Sequence, residues 1–186
     1  MKVDIYNTDK KYNIIYADPP WQYKVWSRDT GLKRSAESHY HTMQKKDIQD
    51  MKDVIAKISN ENCVLFLWVT VPCLLEGLEL INSWGFTYKT IGFTWIKTNK
   101  KSDSLFWGMG YYTRANTELC LLATKGKPLK RISKSVHQVV MSKIREHSRK
   151  PDEVRDRIVK LFGDLPKIEL FARQQVNDWD CWGNEV

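Results

Sequence analysis

The chain reads as an α/β fold on three observations. Short apolar runs alternate with segments of helical period along its 186 residues, the order that builds a sheet covered by helices. One run, Cys63 to Val71 (CVLFLWVTV), is almost wholly apolar, as in a parallel strand buried on both faces. No repeat, low-complexity tract or linker interrupts the order, so a single domain over residues 1–186 is expected.

The elements follow in chain order. Ile14 to Ala17 is an apolar run stopped by Asp18-Pro19-Pro20, which predicts a buried strand ended by prolines. Asp47 to Ile58 places Ile48, Met51, Val54, Ile55 and Ile58 at helical spacing. After the apolar strand, Pro72 opens a second helix that Gly85 closes. Tyr88 to Lys97 and Thr117 to Thr124 predict two further strands, joined by a long loop rich in glycine and aromatics. Pro151-Asp152-Glu153 starts a third helix, with its acids facing the positive end of the helix dipole. Lys167 to Ala172 (KIELFA) is a last buried strand, before a tail that holds Trp179, Trp182 and Gly183-Asn184-Glu185.

A hydrophobic fraction of 42% suits a compact domain with a real core. The N-terminus is charged and has no apolar leader segment, and no run approaches the roughly 20 apolar residues of a membrane span. Cys63, Cys73, Cys120 and Cys181 are scattered without metal-type spacing, which predicts reduced thiols and a cytoplasmic protein. The net charge is +8, from 30 basic and 22 acidic residues. Nine of the basic residues and one acid, Glu146, lie between Lys125 and Lys150, leaving 21 of each sign elsewhere. A neutral body with one basic segment is expected of a protein that meets a polyanion, although a solvated loop has the same composition.

The sharpest local signal is Asp18-Pro19-Pro20-Trp21 at the carboxyl end of a predicted strand, the sheet edge where α/β proteins bind ligands. An aromatic amine such as adenine N6 is a poor nucleophile, because its lone pair is delocalised into the ring. A site that methylates it must accept hydrogen bonds from both amine hydrogens. The Asp18 carboxylate and the Pro19 carbonyl, stiffened by two prolines, supply two such acceptors. Trp21 and Tyr23 offer aromatic faces on which a flipped-out base can stack. Read without this chemistry, the same four residues make a strand-ending turn with an exposed acid. His39 and His41 flank Tyr40 but have no partners at ligand spacing, so no metal site is expected. The loop from Phe106 to Tyr112 follows Lys97, Lys100 and Lys101. Aromatics beside cations suit either base stacking or an ordinary surface loop.

These motifs resemble the DPPW-type N6-adenine methyltransferases, the family of the catalytic subunit of the eukaryotic mRNA adenosine methyltransferase. The resemblance runs in matching order over nearly the whole chain. It covers Ala17 to Trp21, Tyr40-His41-Thr42-Met43, Leu65 to Thr70, Trp84-Gly85-Phe86, Trp95 to Asn99 and Glu118 with its strand. It continues through Lys150 to Glu153, Lys167 to Arg173 and Trp182 to Glu185. What it implies is a Rossmann-like fold that binds S-adenosyl-L-methionine, circularly permuted so that the catalytic motif precedes the cofactor segment. It also implies Asp18, Pro19, Pro20 and Trp21 as catalytic residues, with Tyr23, Tyr40 and Lys97 as substrate contacts. Asp4, Ile5, Asp18, Glu169, Arg173, Asn184 and Glu185 would hold the cofactor, Glu169 at its ribose hydroxyls.

The chain lacks a GxGxxG fingerprint, and the resemblance places Glu169-Leu170-Phe171-Ala172-Arg173 where other methyltransferases have a glycine-rich turn. Its small size and Trp-Gly-Asn-Glu ending are closer to bacterial and phage members, which favours DNA over RNA as the substrate. An inactive nucleic-acid-binding partner subunit is the competing expectation, and a homodimer or second subunit would widen the binding surface of so small a domain.

Overall fold

The computed structural model describes residues 1–21, 43–110, 112–145 and 149–186. Seven strands form one sheet: β1 (Tyr12–Ala17), β2 (Ser59–Thr70), β3 (Thr87–Thr98), β4 (Thr117–Lys125), β5 (Val139–Lys143), β6 (Lys167–Leu170) and β7 (Asp180–Trp182). Their order across the sheet is β5-β3-β4-β2-β1-β6-β7. β1 pairs in parallel with β2 and β6, β6 with β7, and β3 with β5. β4 runs antiparallel to both of its neighbours, β2 and β3.

The helices are α1 (Lys45–Asp50), α2 (Lys52–Ile58), α3 (Leu74–Ser83) and α4 (Glu153–Phe162), with one 3-10 turn at Val71–Cys73. The apolar run in β2 is central and covered on both sides, as its composition predicts. Cys63, Leu65, Leu67 and Val69 join Ile48, Ile55, Leu80 and Ile81 in one core. Val64, Phe66 and Trp68 join Val154, Ile158 and Trp179 in the other. This is the period-two alternation of a strand dividing two layers.

Two glycines fit particular backbone needs. Gly85 takes φ 78° just past α3, where Phe86 N donates to Ile81 O and closes the helix end. At Gly77, α3 approaches β2 so closely that a Cβ would overlap Val69 Cγ1.

The structure departs from the sequence reading at three places. The helix expected over Asp47 to Ile58 is two helices, broken at Met51 (φ −70°, ψ −1°). Ile48, Met51, Val54, Ile55 and Ile58 are nonetheless all buried, because burial rather than an unbroken ladder of hydrogen bonds sets the pattern. The strand expected to reach Ala172 ends at Leu170, since Phe171 turns to φ 59°. β5 and β7 carry no strand signal of their own. β5 lies within the basic segment, and β7 has only three residues.

Candidate active site

Asp18, at the exit of β1, and Phe171 to Arg173, at the exit of β6, lie at the carboxyl edge of the parallel strands. Lys97 comes to that edge near the end of β3. β4 runs the other way, so its beginning, with Glu118, arrives there as well. Asp18 and Lys150 are 132 residues apart in sequence, yet Lys150 Nζ donates to Asp18 Oδ2 at 2.9 Å. The same ammonium lies 3.1 Å from Glu118 Oε2 and 5.7 Å from the centre of the Trp68 ring. Glu118 Oε1 accepts from Lys97 Nζ at 2.5 Å, and Lys97 lies 5.0 Å from the centre of the Trp95 ring. Two cations and two carboxylates thus alternate in the order Lys97, Glu118, Lys150, Asp18.

The electrostatics follow from this ladder. Burial pushes the Asp18 carboxyl above its ordinary range, with Lys150 working against it. At Glu118 burial acts in the same sense, but Lys150 and Lys97 outweigh it and hold that carboxyl below its ordinary range. Burial works to lower the Lys150 ammonium, and Asp18 and Glu118 together raise it, so it stays protonated.

A second ionic cluster adjoins the first. Arg155 on α4 grips Glu169 with a fork, Nε to Oε2 at 2.7 Å and Nη2 to Oε1 at 3.2 Å. Its Nη1 reaches Asp152 at 2.7 Å. Asp152 also pairs with Arg145 and Arg149 and accepts from Gln174. Arg145 further donates to the Lys150 carbonyl, which fixes the backbone that presents Lys150. The Asp152 carboxyl lies well below its ordinary range: partial burial opposes this, and the bonds from Arg145 and Arg155 prevail.

Asp18, Lys150, Arg155, Glu169, Phe171, Arg173 and Glu185 line a cavity of about 200 Å³. It shares Arg155 and Gln174 with a wider hollow of about 520 Å³. Phe171 is a non-glycine residue in the left-handed region (φ 59°), a conformation found where surrounding packing enforces it. Its ring meets Trp182 edge-on at 5.4 Å, which holds it in place. The turn at the exit of β6 is thus made by a strained phenylalanine braced on β7.

Within the Asp-Pro-Pro-Trp motif, the Pro19 carbonyl accepts from Trp21 N at 2.8 Å and retains its second lone pair. Pro20 O accepts from Met43 N at 3.0 Å, so the chain returns beside the motif at Met43. Trp21 is 6% exposed, and its indole N–H donates to Trp68 O at 2.9 Å, placing the ring in the core layer.

Arg173 pairs with Glu185 at 3.9 Å across the cavity. Asn184, Asp4 and Ile5 are not among the residues lining it. Asp4 is exposed and caps its own turn through Tyr6 N and Asn7 Nδ2, while Ile5 is fully buried in the core. Tyr23 and Tyr40, with His39 and His41, lie outside the described residues. Among the described residues, no three His, Cys, Asp or Glu side chains are grouped to hold a metal, and no helix is long and apolar enough to cross a membrane.

Sequence reasoning assigned no role in the site to Lys150, Glu118, Arg155 or Asp152, and read Asp152 only as a helix-start acid. Glu118, Lys150 and Asp152 stand inside matching stretches, but only the fold brings them to Asp18 and Glu169. The basic segment proves to be two groups. Lys125 ends β4 at the edge opposite Asp18, and Lys127 to Lys134 follow from there. Arg145, Arg149 and Lys150 lie at the catalytic edge, paired with Asp152, Asp18 and Glu118.

A mostly parallel sheet with a strand-end carboxylate beside a polar cavity fits the methyltransferase class of α/β fold. The chain belongs to the MT-A70 family, whose pattern matches residues 12–185. It is 38% identical over 192 residues to the type II methyltransferase M.MunI of Mycoplasma sp, across 95% of this chain and 78% of that protein. It is also 30% identical to an MT-A70-like N(6)-adenosine-methyltransferase of Medicago truncatula named as putative. Against the N(6)-adenosine-methyltransferase catalytic subunit of Homo sapiens the identity is 28%. In both of these the match covers 95% of this chain and about a quarter of the relative's length (26% and 28%).

Proposed function

We propose that this chain, an N6-adenine methyltransferase of nucleic acid by its family, acts on adenine in DNA. The observation that carries the site assignment is the Asp18 carboxylate at the exit of β1, beside the cavity that Glu169 and Arg173 line. DNA is favoured by the 38% identity to a type II methyltransferase that is matched over most of its length. Methylation of RNA is the alternative, supported by the adenosine methyltransferases among the relatives.

S-adenosylmethionine, the family's methyl donor, supplies a methyl group activated on sulfonium sulfur. The donors and acceptors around the cavity fit it. Arg173 matches its carboxylate, while Glu169 and Glu185 match its ribose hydroxyls; Asp18 and the neighbouring acids suit its positive charge. Both Glu169 oxygens accept from Arg155, and each keeps a lone pair for a hydroxyl. Asn184, Asp4 and Ile5 are assigned to the same ligand by resemblance, at a greater remove.

Asp18 and the Pro19 carbonyl would accept the two amine hydrogens and hold the nitrogen for a single displacement, with no covalent intermediate on the enzyme. The N–C bond forms as the C–S bond breaks, with S-adenosylhomocysteine as the leaving group, and the proton lost by the methylated nitrogen passes through the Asp18 carboxylate to solvent. Tyr23 and Tyr40 complete the base pocket in this reading, and Lys97 is a substrate contact beside Glu118. Trp21, expected as a stacking face, instead has its ring in the core layer and braces the motif through Trp68 O. With catalysis in β1 and the cofactor segment in β6, the chain order is that of a circularly permuted Rossmann-like methyltransferase. One domain, a cytoplasmic location in a bacterial or phage-infected cell, and a homodimer or second subunit belong to the same proposal.

The test is transfer of labelled methyl to matched DNA and RNA oligonucleotides, each with and without adenine. Label that depends on adenine is expected on DNA, and Asp18→Ala is expected to abolish it while calorimetry still detects cofactor binding. Full turnover by Asp18→Ala would remove the site assignment. Label on RNA alone would change the substrate and keep the chemistry.

A further inference from the structure

The base-acceptor assignment of Asp18 raises a difficulty that the ladder of charges resolves. Lys150 Nζ sits 2.9 Å from Asp18 Oδ2, and a carboxylate paired with an ammonium is a weak acceptor for a neutral amine. To receive the amine at full strength, Asp18 must give up part of its hold on Lys150. A buried cation that loses a carboxylate partner is left undercompensated in a low-dielectric interior. The release is eased where a second carboxylate already stands within reach, as Glu118 does.

We propose that Glu118 is a positioning residue that takes over the Lys150 ammonium when Asp18 turns to the incoming amine. Three observations support the handover, which rests on the assignment of Asp18 as amine acceptor. Lys150 Nζ lies almost equally far from the two acids, 2.9 Å from Asp18 Oδ2 and 3.1 Å from Glu118 Oε2. Glu118 Oε2 is buried and lacks a well-directed hydrogen bond despite that short distance, so a better bond is gained when the ammonium turns toward it. Glu118 cannot follow Lys150 toward Asp18, because Lys97 holds its other oxygen at 2.5 Å and the residue is 3% exposed on β4.

The Trp68 ring lies 5.7 Å from Nζ and is itself fixed, its indole N–H donating to Tyr16 Oη at 2.7 Å. Among the described residues, the charged groups facing the pair are Lys97 beside Glu118, and Arg173 and Glu169 beside Asp18. Lys150 stays protonated throughout. No bond is made or broken, and only the partner of the ammonium changes.

The experiment is a double-mutant cycle of Glu118→Gln and Lys150→Met, read in three ways. The readouts are kcat on an adenine oligonucleotide, cofactor affinity by calorimetry, and affinity for adenine-containing over adenine-free oligonucleotide measured without cofactor. Glu118→Gln is expected to lower kcat and the adenine-specific affinity by roughly tenfold or more while cofactor affinity is kept. In the Lys150→Met background the same change is expected to cost less than about twofold, because the cation it manages is gone. Equal loss in both backgrounds, or no loss in the single variant, would overturn the handover. Loss of cofactor binding by Glu118→Gln would likewise overturn it, in favour of a purely structural role. If Glu118→Gln does not fold, Glu118→Asp takes its place in the cycle, with the same non-additive pattern expected. Failure of the underlying assignment is separable: Asp18→Asn would then keep wild-type turnover whatever the cycle shows.

Discussion

Lys150 is surrounded by acids that sequence distance hides. Removing its charge has a signed consequence at Asp18. Burial raises the Asp18 carboxyl and Lys150 opposes the rise, so Lys150→Met leaves burial opposed only by the weaker pull of Arg173. The amine acceptor must be ionised, so activity appears only above the Asp18 pKa. The acid limb of kcat/KM against pH is therefore expected to lie above the ordinary aspartate value of about 3.9, and to move to still higher pH in Lys150→Met. A pH–rate profile of the two proteins checks this, and an unmoved or downshifted limb would contradict it. The stability linkage of Lys150 has the opposite sign. Its raised ammonium adds stability that is fully present below the unfolded lysine value of about 10.4 and is lost as pH rises through the folded value. At this scale Asp18 was legible, because a carboxylate before two prolines at a strand end is a local pattern. Glu118, Lys150 and Arg155 were not, since single charged residues have no local signature.

At the scale of elements, period and composition placed β1, β2, β3, β4, α3, α4 and β6 to within a few residues at their ends. The β6 exit shows where such reading stops. A phenylalanine at φ 59° is chosen by its packing against Trp182, which lies in a strand only three residues long. The contact of α3 with β2 is a second case, since nothing in Leu74-Leu75-Glu76-Gly77 announces a close approach. Gly77→Ala removes an unfavourable helical glycine, a gain of up to about 1 kcal/mol. Against that, its methyl must displace Val69, and overpacking of this kind costs about 1–3 kcal/mol. A net loss of stability in urea unfolding is expected. A stabilised variant would mean that the helix shifts freely over β2.

For the whole molecule, the antiparallel course of β4 decides where charge goes. It brings Glu118 to the catalytic edge and sends Lys125 to the opposite one, with Lys127, Lys130, Arg131 and Lys134 beyond it. Four substitutions to Gln at those last positions are expected to change kcat/KM on a short oligonucleotide by no more than about twofold at fixed salt, since phosphate contacts act where the strand lies. A fall of more than about tenfold would mean that the nucleic acid wraps across the sheet to the far edge. The linear count of charge marked one basic segment, and the fold divides its cations between the two edges of the sheet.

The sequence by itself determined the α/β class, the central buried strand, the Asp-Pro-Pro-Trp turn and, through its ordered motifs, the family. Each of these depends on neighbours in the chain or on a periodicity that backbone geometry imposes. The tertiary structure alone decided which charges meet. Asp18, Glu118 and Lys150 come together because β1 ends and the antiparallel β4 begins at one edge, and Glu169 on β6 meets Arg155 on α4. The physical reason is the range of the interactions. Hydrophobic period and turn chemistry act over a few residues, whereas the pairing of buried charges depends on positions that only the completed sheet brings within about 3 Å.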